Sequence, residues 1–488
     1  MNIIQASNFN EAFSILLSDG NQEHRKVFLR VIYILSYAML GEIDFAVLIL
    51  IGNFSLVILM YLFFHIVNVP RKNLFYFIPI SILLFQLQSW THMTWTAPAI
   101  QLYMFVFTGL TFYFCCKKSN LGFFSAIFFA MASVSTYAVG WFTMALGWLI
   151  LIINKRYRHS IAWALVSLIF GFFYFKNFHS SANISSGIQT FDGFKNFLIF
   201  YFSFLGSALS PNKIYIAASF GVILNLYLCY LIRDRYFHKN ITVFMFMVFV
   251  FLNAIGAAMF RADFGIENVF APRYKVVSVI LVILVYMSLA EKMSSSLNKF
   301  RGFIVMGILI ASASYFLTFK PGKFNLETKN LSLKWLTNQW VNTNHGFFFT
   351  PGTPGVNDRT PNAILLRALD NEFYRLPYEF LNMPDHAYSP FISLPKNCVS
   401  EKYNKFSAKL GVIQIGPESN PYLVRLEGMI HSPIGNKKEN KPNIYLILKS
   451  RESNYIFKTH PHEYLKGSVF FDENLTNAGF IALVPFEK

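Results

Sequence analysis

Residues 240–261 read NITVFMFMVFVFLNAIGAAMFR, an apolar run whose one charged residue, Arg261, is its last. At a rise of about 1.5 Å per residue, a helix of this length reaches across the roughly 30 Å hydrocarbon core of a bilayer. Charged side chains are costly inside a membrane, so a long run without them is typical of a spanning helix. The segment therefore predicts a transmembrane helix.

Similar apolar runs recur through the first two thirds of the chain. Hydrophobic residues make up 54% of the sequence and charged residues 14%, whereas a typical soluble domain has about 25% charged residues. The candidate spans are 44–66, 73–88, 100–116, 121–136, 138–154, 159–176, 213–232, 240–261, 274–291 and 302–319. We predict a mainly α fold, a polytopic transmembrane helical bundle of about 10–11 spans over residues 44–319.

Two other apolar segments leave the number of spans open. Residues 27–40 contain Arg30, and a helix of that length covers only about 20 Å, so an interfacial amphipathic helix is favoured over an eleventh span. Residues 193–209 are predicted to re-enter or to lie flat on the outer face. If they crossed, the basic residues 233–239 would lie on the opposite side from the other basic loops.

Short loops rich in Lys and Arg stay in the cytoplasm, and this rule orients the chain. The basic loops are Arg71-Lys72, Lys117-Lys118, residues 155–158, residues 233–239 and residues 292–301. With all of them inside, residues 1–43 form an outer juxtamembrane segment, and the C-terminal part also lies outside. We expect a bacterial inner (cytoplasmic) membrane protein with a periplasmic C-terminal domain.

Residues 320–488 differ in composition from the rest of the chain. They hold 20 Lys and Arg and 15 Asp and Glu, and no apolar run in them is long enough to cross a membrane. Strand-like composition marks residues 422–430, 443–448, 455–459 and 480–486. The prediction is a soluble α+β domain.

The net charge of +17 does not indicate nucleic acid. Most of it lies in short loops, where it is typical of a topology signal that also attracts anionic lipid head groups. No phosphate loop, dinucleotide fingerprint, nucleophile elbow or zinc motif occurs in the chain. We therefore expect a lipid bilayer around the protein, no nucleic-acid partner, no cofactor and no metal site.

The acidic residues indicate where chemistry takes place. Residues 1–319 contain ten Asp and Glu residues, and the predicted topology places eight of them outside. Acids in a lipid-embedded chain either pair with something or take part in chemistry. The eight are Glu11, Asp19, Glu23, Glu42, Asp44, Asp192, Asp263 and Glu267; only Asp234 and Glu291 lie inside.

The outer face thus combines acids with cations and aromatic side chains. Glu23 is the leading candidate for a general base, with Glu42 and Asp19 behind it. Arginines supply forked donors for a phosphate, and indole rings cover apolar sugar surface. The candidate substrate-binding residues are His24, Arg25, Arg30, Trp90, His92, Asp263, Glu267, Arg273 and Tyr274.

Structural roles remain open for several of these residues. Asp44 is placed to cap the helix that follows it. Arg30 could extend to lipid head groups, and Trp90 could anchor the chain at the membrane interface. Asp263, Glu267 and Arg273 could pair with one another to hold a loop.

Three short stretches carry a resemblance to a known family. They are Glu23-His24-Arg25 ahead of an amphipathic segment, Phe204-Leu-Gly-Ser207, and Phe264-Gly-Ile-Glu267 followed by Arg273-Tyr274. Together with the layout of the chain, they resemble bacterial GT-C-type polytopic membrane glycosyltransferases, in particular the phage-type serotype-converting O-antigen glucosyltransferases.

The resemblance implies a GT-C-like bundle and an inverting transfer without a nucleotide. A sugar, with glucose expected, would pass from undecaprenyl phosphate to O-antigen of lipopolysaccharide or to another surface glycan. GT-C enzymes usually have a span before the acidic outer loop. Here none precedes Glu23, so either the start of the chain is truncated or Asp19, Glu23 and Glu42 would take that role.

Two other functions remain as alternatives. A transporter or flippase of lipid-linked glycans predicts charges inside spans and broken helices, whereas the acids here lie at the ends of spans. A polymerase or ligase of lipid-linked glycans predicts a large periplasmic loop between spans, whereas the large polar portion here is C-terminal.

Overall fold

The computed structural model describes the helical part of the chain and isolated strands near its C-terminus. The described ranges are 8, 15–17, 25–69, 74–176, 190–210, 212–343, 368–375, 406–413, 422–430, 445–449, 454–458, 460–461 and 479–486. The chain divides into two compact units, Met1–Lys323 and Phe324–Lys488.

The first unit is helical. In chain order the helices are α1 Val27–Leu40, α2 Phe45–Ile66, α3 Ile78–Leu84, α4 Thr96–Gln101, α5 Tyr103–Cys115, α6 Asn120–Thr136, α7 Trp141–Ile153, α8 Tyr157–Phe175, α9 Phe191–Gly206, α10 Ile214–Arg233, α11 Tyr236–Lys239, α12 Ile241–Arg261, α13 Pro272–Met293 and α14 Leu297–Thr343. Short 3₁₀ helices lie at Leu74–Phe77, Leu87–Met93, Ala138–Gly140, Ser207–Leu209, Ala262–Phe264 and Ile266–Phe270.

Within the described residues, seven helical segments are long and apolar enough to cross a membrane, so the protein is a helical membrane protein. They are Phe45–Ile66, Thr96–Cys115, Tyr157–Phe175, Ile214–Arg233, Ile241–Phe264, Pro272–Met293 and Leu297–Glu327. Two predicted spans, 121–136 and 138–154, correspond to shorter apolar helices, Asn120–Thr136 and Ala138–Ile153. The count of ten spans stays a prediction.

The predicted span at 73–88 is not one straight helix. Leu74–Leu84 and Leu87–Met93 meet at an angle of 63°, and counting this bent pair as one span gives eight. Gln86 lies at the break and is buried, and its Oε1 accepts a hydrogen bond from Ser314 Oγ at 3.4 Å. Asn53 Nδ2 donates to the His92 carbonyl oxygen at 2.7 Å, which ties the second half of the pair to α2.

Buried hydroxyl groups join α5, α6 and α7. Thr108 Oγ1 lies 3.1 Å from Ser133 Oγ and 2.8 Å from Thr143 Oγ1. The Ser133 and Thr143 hydroxyl oxygens are 3.2 Å apart. In an apolar environment such bonds between helices satisfy the hydroxyls and fix the packing of the helices.

Helix α9 packs closely against α10, because glycines face neighbouring backbone. A Cβ on Gly206 would lie 2.0 Å from the Ala217 carbonyl oxygen, and one on Gly221 would lie 1.9 Å from the Phe202 carbonyl oxygen. At the end of α9, Ala208 N donates to Ser278 Oγ on α13 at 3.1 Å. Residues 193–209 are not among the candidate spans, and the re-entrant interpretation stays a prediction.

Helix α1 begins at Val27, close to the sequence expectation. It ends at Gly41, whose positive φ of 75° allows its N–H to bond the Tyr37 carbonyl oxygen. Asp44 then caps α2, as predicted, since its Oδ1 accepts from Ala46 N at 2.7 Å and from Val47 N at 3.2 Å.

The end of the bundle where α13 terminates is held by a buried carboxylate. Glu291 is 1% exposed and accepts hydrogen bonds from Asn68 N, Tyr236 Oη and Asn240 Nδ2 at 2.7, 2.7 and 2.6 Å. Burial and the Glu291 carboxylate raise the pKa of the Tyr236 hydroxyl, so it stays a donor. We call Glu291, Asn68, Tyr236 and Asn240 the Glu291 cluster.

The second unit contains short strands. They are β1 Phe406–Ile413, β2 Tyr422–Ile430, β3 Tyr445–Lys449, β4 Asn454–Lys458, β5 His460–Pro461 and β6 Gly479–Phe486. One sheet has the order β1-β2-β6-β5 and the other pairs β3 with β4, and all neighbours are antiparallel. The assignment of residues 320–488 to a soluble, periplasmic α+β domain stays a prediction.

Candidate functional site

A cavity of about 580 Å³ opens among the helix ends of the first unit. Its wall combines the C-terminal ends of α8 and α12, the N-terminal ends of α7 and α13, and residues from His92 to Phe105. The cavity lies at the end of α12 and α13 opposite to the Glu291 cluster, because Arg261 ends α12 and Arg273 begins α13. A volume of this size is typical of a small-molecule site.

Helix α12 lines the cavity with one face. Asn253, Gly256, Ala257, Phe260 and Arg261 all contribute to the wall. The spacing i, i+3, i+4, i+7, i+8 is that of residues on one side of an α-helix. This wall therefore runs along the helix axis, from Asn253 inside the bundle to Arg261 at the mouth.

Three cations line the cavity. They are Lys26, Arg261 and Arg273. The Arg273 guanidinium lies 5.0 Å from the centre of the Tyr274 ring, and that of Arg261 lies 5.5 Å from the centre of the Phe264 ring. Of the described residues that line the cavity, none is Asp or Glu. The lining thus favours an anionic ligand.

Aromatic rings form much of the remaining wall. Trp141 stacks on Phe175 at 5.3 Å and meets the Tyr174 ring edge-on at 5.5 Å. Two further lining residues, Tyr274 and Phe204, pack together with their ring centres 5.6 Å apart. These rings present flat apolar surface beside the cations, which suits a ligand that is both anionic and partly apolar.

Arg25 fixes the position of Lys26 at the cavity. Its Nη2 donates to the Lys176 carbonyl oxygen at 2.6 Å, and its Nη1 lies 3.5 Å from the Phe173 carbonyl oxygen. The guanidinium also lies 5.7 Å from the centre of the Tyr174 ring. A cation on the final carbonyls of α8 satisfies acceptors that the helix leaves open and complements its dipole.

Of the residues predicted from sequence, three line the cavity. They are His92, Arg273 and Tyr274. His92 is 5% exposed, and its Nδ1–H donates to the Ser89 carbonyl oxygen at 2.9 Å. This bond leaves Nε2 as the ring nitrogen available to another partner.

Other predicted residues lie elsewhere. Arg25 bonds the end of α8, and Arg30 Nη1 donates to the Ile15 and Leu16 carbonyl oxygens at 3.0 and 2.7 Å. Trp90 is part of the bent pair and is not in the cavity wall, whereas the neighbouring Trp95 is. Glu42 lies between α1 and α2 and does not line the cavity.

Asp263 and Glu267 lie in the segment that joins α12 to α13. Both are exposed, and among the described residues neither forms an ion pair with Arg273. The ion pairing of Asp263 or Glu267 with Arg273, one of the structural alternatives from the sequence, is therefore absent among the described residues. Asp19, Glu23 and His24 lie outside the described residues, and their roles stay predictions.

Sequence reasoning missed Lys26, Arg261 and Asn253 as parts of one site. Lys26 follows Arg25 directly, and Arg261 ends the apolar run that predicts α12. Asn253 is an amide well inside that run, which is itself a signal, since polar groups are rare in spanning helices. No family model, curated protein or solved structure matches the chain.

Proposed function

We propose that the protein is a membrane glycosyltransferase that uses a polyprenyl-phosphate sugar as donor. The observation that carries this proposal is the cavity, which combines three cations with aromatic rings and has no acid among its described lining residues. The acceptor is O-antigen or another surface glycan, and the sugar is glucose. The reaction takes place at the periplasmic face of the bacterial inner membrane.

The chemistry of the cavity matches the donor in two respects. Arginine guanidinium groups bind phosphate with paired, charge-assisted hydrogen bonds. Arg273 and Arg261 supply such groups where α12 ends and α13 begins. The leaving group of the transfer is the polyprenyl phosphate, so cations beside its oxygens stabilise the charge that develops as the glycosidic bond breaks.

The general base comes from outside the described lining. Glu23 and Asp19 precede Arg25 in sequence, and Arg25 is bonded beside the cavity wall. Glu23 therefore remains the leading candidate to deprotonate the acceptor hydroxyl, with Glu42 and Asp19 behind it. Asp263 and Glu267 follow Arg261 closely in the chain, and we assign them to binding of the acceptor.

The proposal is tested in cells of the natural host. Deleting the gene should remove one sugar substituent from the surface polysaccharide while the backbone of that polysaccharide remains. The wild-type gene should restore the substituent and Arg273→Gln should not. Arg233→Gln is the matched control. Arg233 is an exposed arginine at the C-terminal end of α10 and does not line the cavity.

An unchanged polysaccharide in the deletion strain would overturn the proposal. Full restoration by Arg273→Gln would also do so, because it would leave the cavity without a role. Full restoration by Glu23→Gln would leave the cavity in place and remove Glu23 as the base.

A transporter or flippase of lipid-linked glycans is the second candidate. The bent pair, with its 63° angle at a break of the helix, favours it, because broken helices line substrate sites in transporters. The same deletion separates the two functions. Loss of a transporter, or of a polymerase, removes the whole glycan or its long chains instead of one substituent.

A further inference from the structure

Asn253 is a buried amide that faces the cavity. It is 8% exposed and lines the wall, and its side chain has no hydrogen bond to another described residue. Its amide atoms are not among the fully buried side-chain atoms that lack a partner, so they are open to the cavity, where a ligand can reach them. Unlike a charged group, an amide can both donate and accept. Asn253 is therefore suited to a neutral polar group on a ligand.

The position of Asn253 separates it from the cations. Arg261 lies eight positions after Asn253 on α12, a separation that corresponds to about 12 Å of helix rise. The two residues share one helix face, so the cavity has a cationic mouth and an amide deeper in the bundle. Gln101, which also lines the cavity, adds a second amide.

Small residues leave space beside Asn253. Gly256 is one turn further along the same face, and the nearest atom to a Cβ placed there is a Phe142 ring carbon at 3.7 Å. Ala257 follows it in the wall. The wall between the amide and the cations is therefore flat enough to admit a ring-sized ligand group.

We propose that the cavity binds a sugar phosphate with the sugar inside and the phosphate at the mouth. Asn253, assisted by Gln101, bonds the sugar hydroxyls, while Arg261 and Arg273 bond the phosphate. The prenyl chain leaves the cavity toward the lipid. The reverse orientation, with the alkyl chain against Asn253, would bury that amide without a hydrogen bond, which is unfavourable.

This inference rests on the proposed function, and a binding experiment separates the two. The purified full-length protein in detergent is titrated with farnesyl phosphate, farnesyl phosphoryl glucose and glucose 1-phosphate. The wild-type protein should bind farnesyl phosphoryl glucose about tenfold more tightly than farnesyl phosphate. Glucose 1-phosphate tests whether a sugar phosphate binds to the protein when it carries no prenyl chain.

The variants Asn253→Leu and Asn253→Ala should each bind farnesyl phosphoryl glucose roughly tenfold more weakly, as loss of one or two hydrogen bonds predicts. Their affinity for farnesyl phosphate should stay within about twofold of wild type. Asn225→Leu is the matched control, because Asn225 Nδ2 bonds the Gly221 carbonyl oxygen at 2.9 Å and does not line the cavity.

Equal binding of farnesyl phosphate with and without glucose would overturn the inference and leave the proposed function standing. The same holds if both Asn253 variants bind the glucosylated probe as wild type does. Failure of the wild-type protein to bind either prenyl probe would overturn the inference together with the proposed function. If Asn253→Leu does not fold, the binding test is made with Asn253→Ala, which only removes atoms from the side chain.

Discussion

The two ends of the α12–α13 pair differ in how their polar side chains are hydrogen-bonded. At one end, Glu291 is fully buried and accepts three hydrogen bonds from its own protein. Toward the other end, the cavity wall contains Asn253, whose amide is open to the cavity and has no hydrogen bond to a described residue, and Arg273, which is exposed. A buried group whose hydrogen bonds are satisfied by the protein stabilises the fold, whereas a polar group open to a cavity can bond a ligand.

This comparison predicts that the Glu291 cluster governs stability and the cavity governs binding. The largest expected effect is at Glu291. Glu291→Leu leaves the Asn68 N–H, the Tyr236 hydroxyl and the Asn240 amide buried without their acceptor. We expect a loss of about 3–5 kcal/mol in the free energy of unfolding, measured by thermal or denaturant unfolding in detergent.

Asp234→Asn is the control for that experiment. Asp234 pairs with Lys292, next to Glu291, but its side chain is 45% exposed, so the pair should contribute less than about 1 kcal/mol. Equal destabilisation by the two substitutions would show that the buried hydrogen bonds of Glu291 contribute no more to the free energy of unfolding than the exposed ion pair does.

Gly256→Leu should block the cavity without disturbing the fold. The added side chain has room for its Cβ and would extend into the cavity. We expect affinity for farnesyl phosphoryl glucose to fall by about 100-fold, that is about 2.7 kcal/mol. Gly302→Leu is the control, since Gly302 has no atom within 4 Å of a Cβ and does not line the cavity. Unchanged binding by Gly256→Leu would mean that the ligand lies elsewhere.

Arg273→Gln should weaken binding of both prenyl probes. A charge-assisted hydrogen bond contributes about 1.5–3 kcal/mol, which corresponds to roughly 10- to 150-fold in affinity. Because Arg273 is exposed and makes no described ion pair, unfolding should change by less than about 0.5 kcal/mol. A variant that binds normally but unfolds easily would assign Arg273 to the fold instead of the site.

Asp44→Ala tests the smallest effect. Asp44 is an acid on the predicted outer side whose carboxylate is satisfied by the N–H groups of Ala46 and Val47. Like the substitution at Glu291, Asp44→Ala should therefore lower stability and leave binding unchanged. We expect a loss of about 1 kcal/mol in the free energy of unfolding. Asp44→Asn, which keeps a capping oxygen, should restore most of that stability. A large loss of ligand affinity would place Asp44 in the site.

The sequence predicts the helices well because hydrophobic length is a local property. The apolar run that ends at Arg261 forms α12, and Asp44 caps α2 as expected. The sequence does not predict the bend after Leu84, because the length of an apolar run does not reveal a break in the helix. The two polar residues Gln86 and Gln88 are the local signal that marks the break. Helix packing around a break depends on contacts distant in sequence, such as that of Gln86 with Ser314.

The cavity could be predicted only in part. Three of its lining residues, Arg273, Tyr274 and His92, are candidates that the sequence names, while the side of the membrane on which it lies stays a prediction. Which cations share one wall depends on how helices far apart in the chain pack. The sequence cannot distinguish Arg25, which bonds α8, from Lys26, which lines the cavity one residue later.

The most direct test is an electron cryomicroscopy structure of the protein with farnesyl phosphoryl glucose. We predict density for the phosphate within hydrogen-bond distance of the Arg273 guanidinium and for the glucose ring beside the Asn253 amide. An empty cavity, with the compound bound at another surface of the bundle, would contradict the assignment of this end of α12 and α13 to ligand binding.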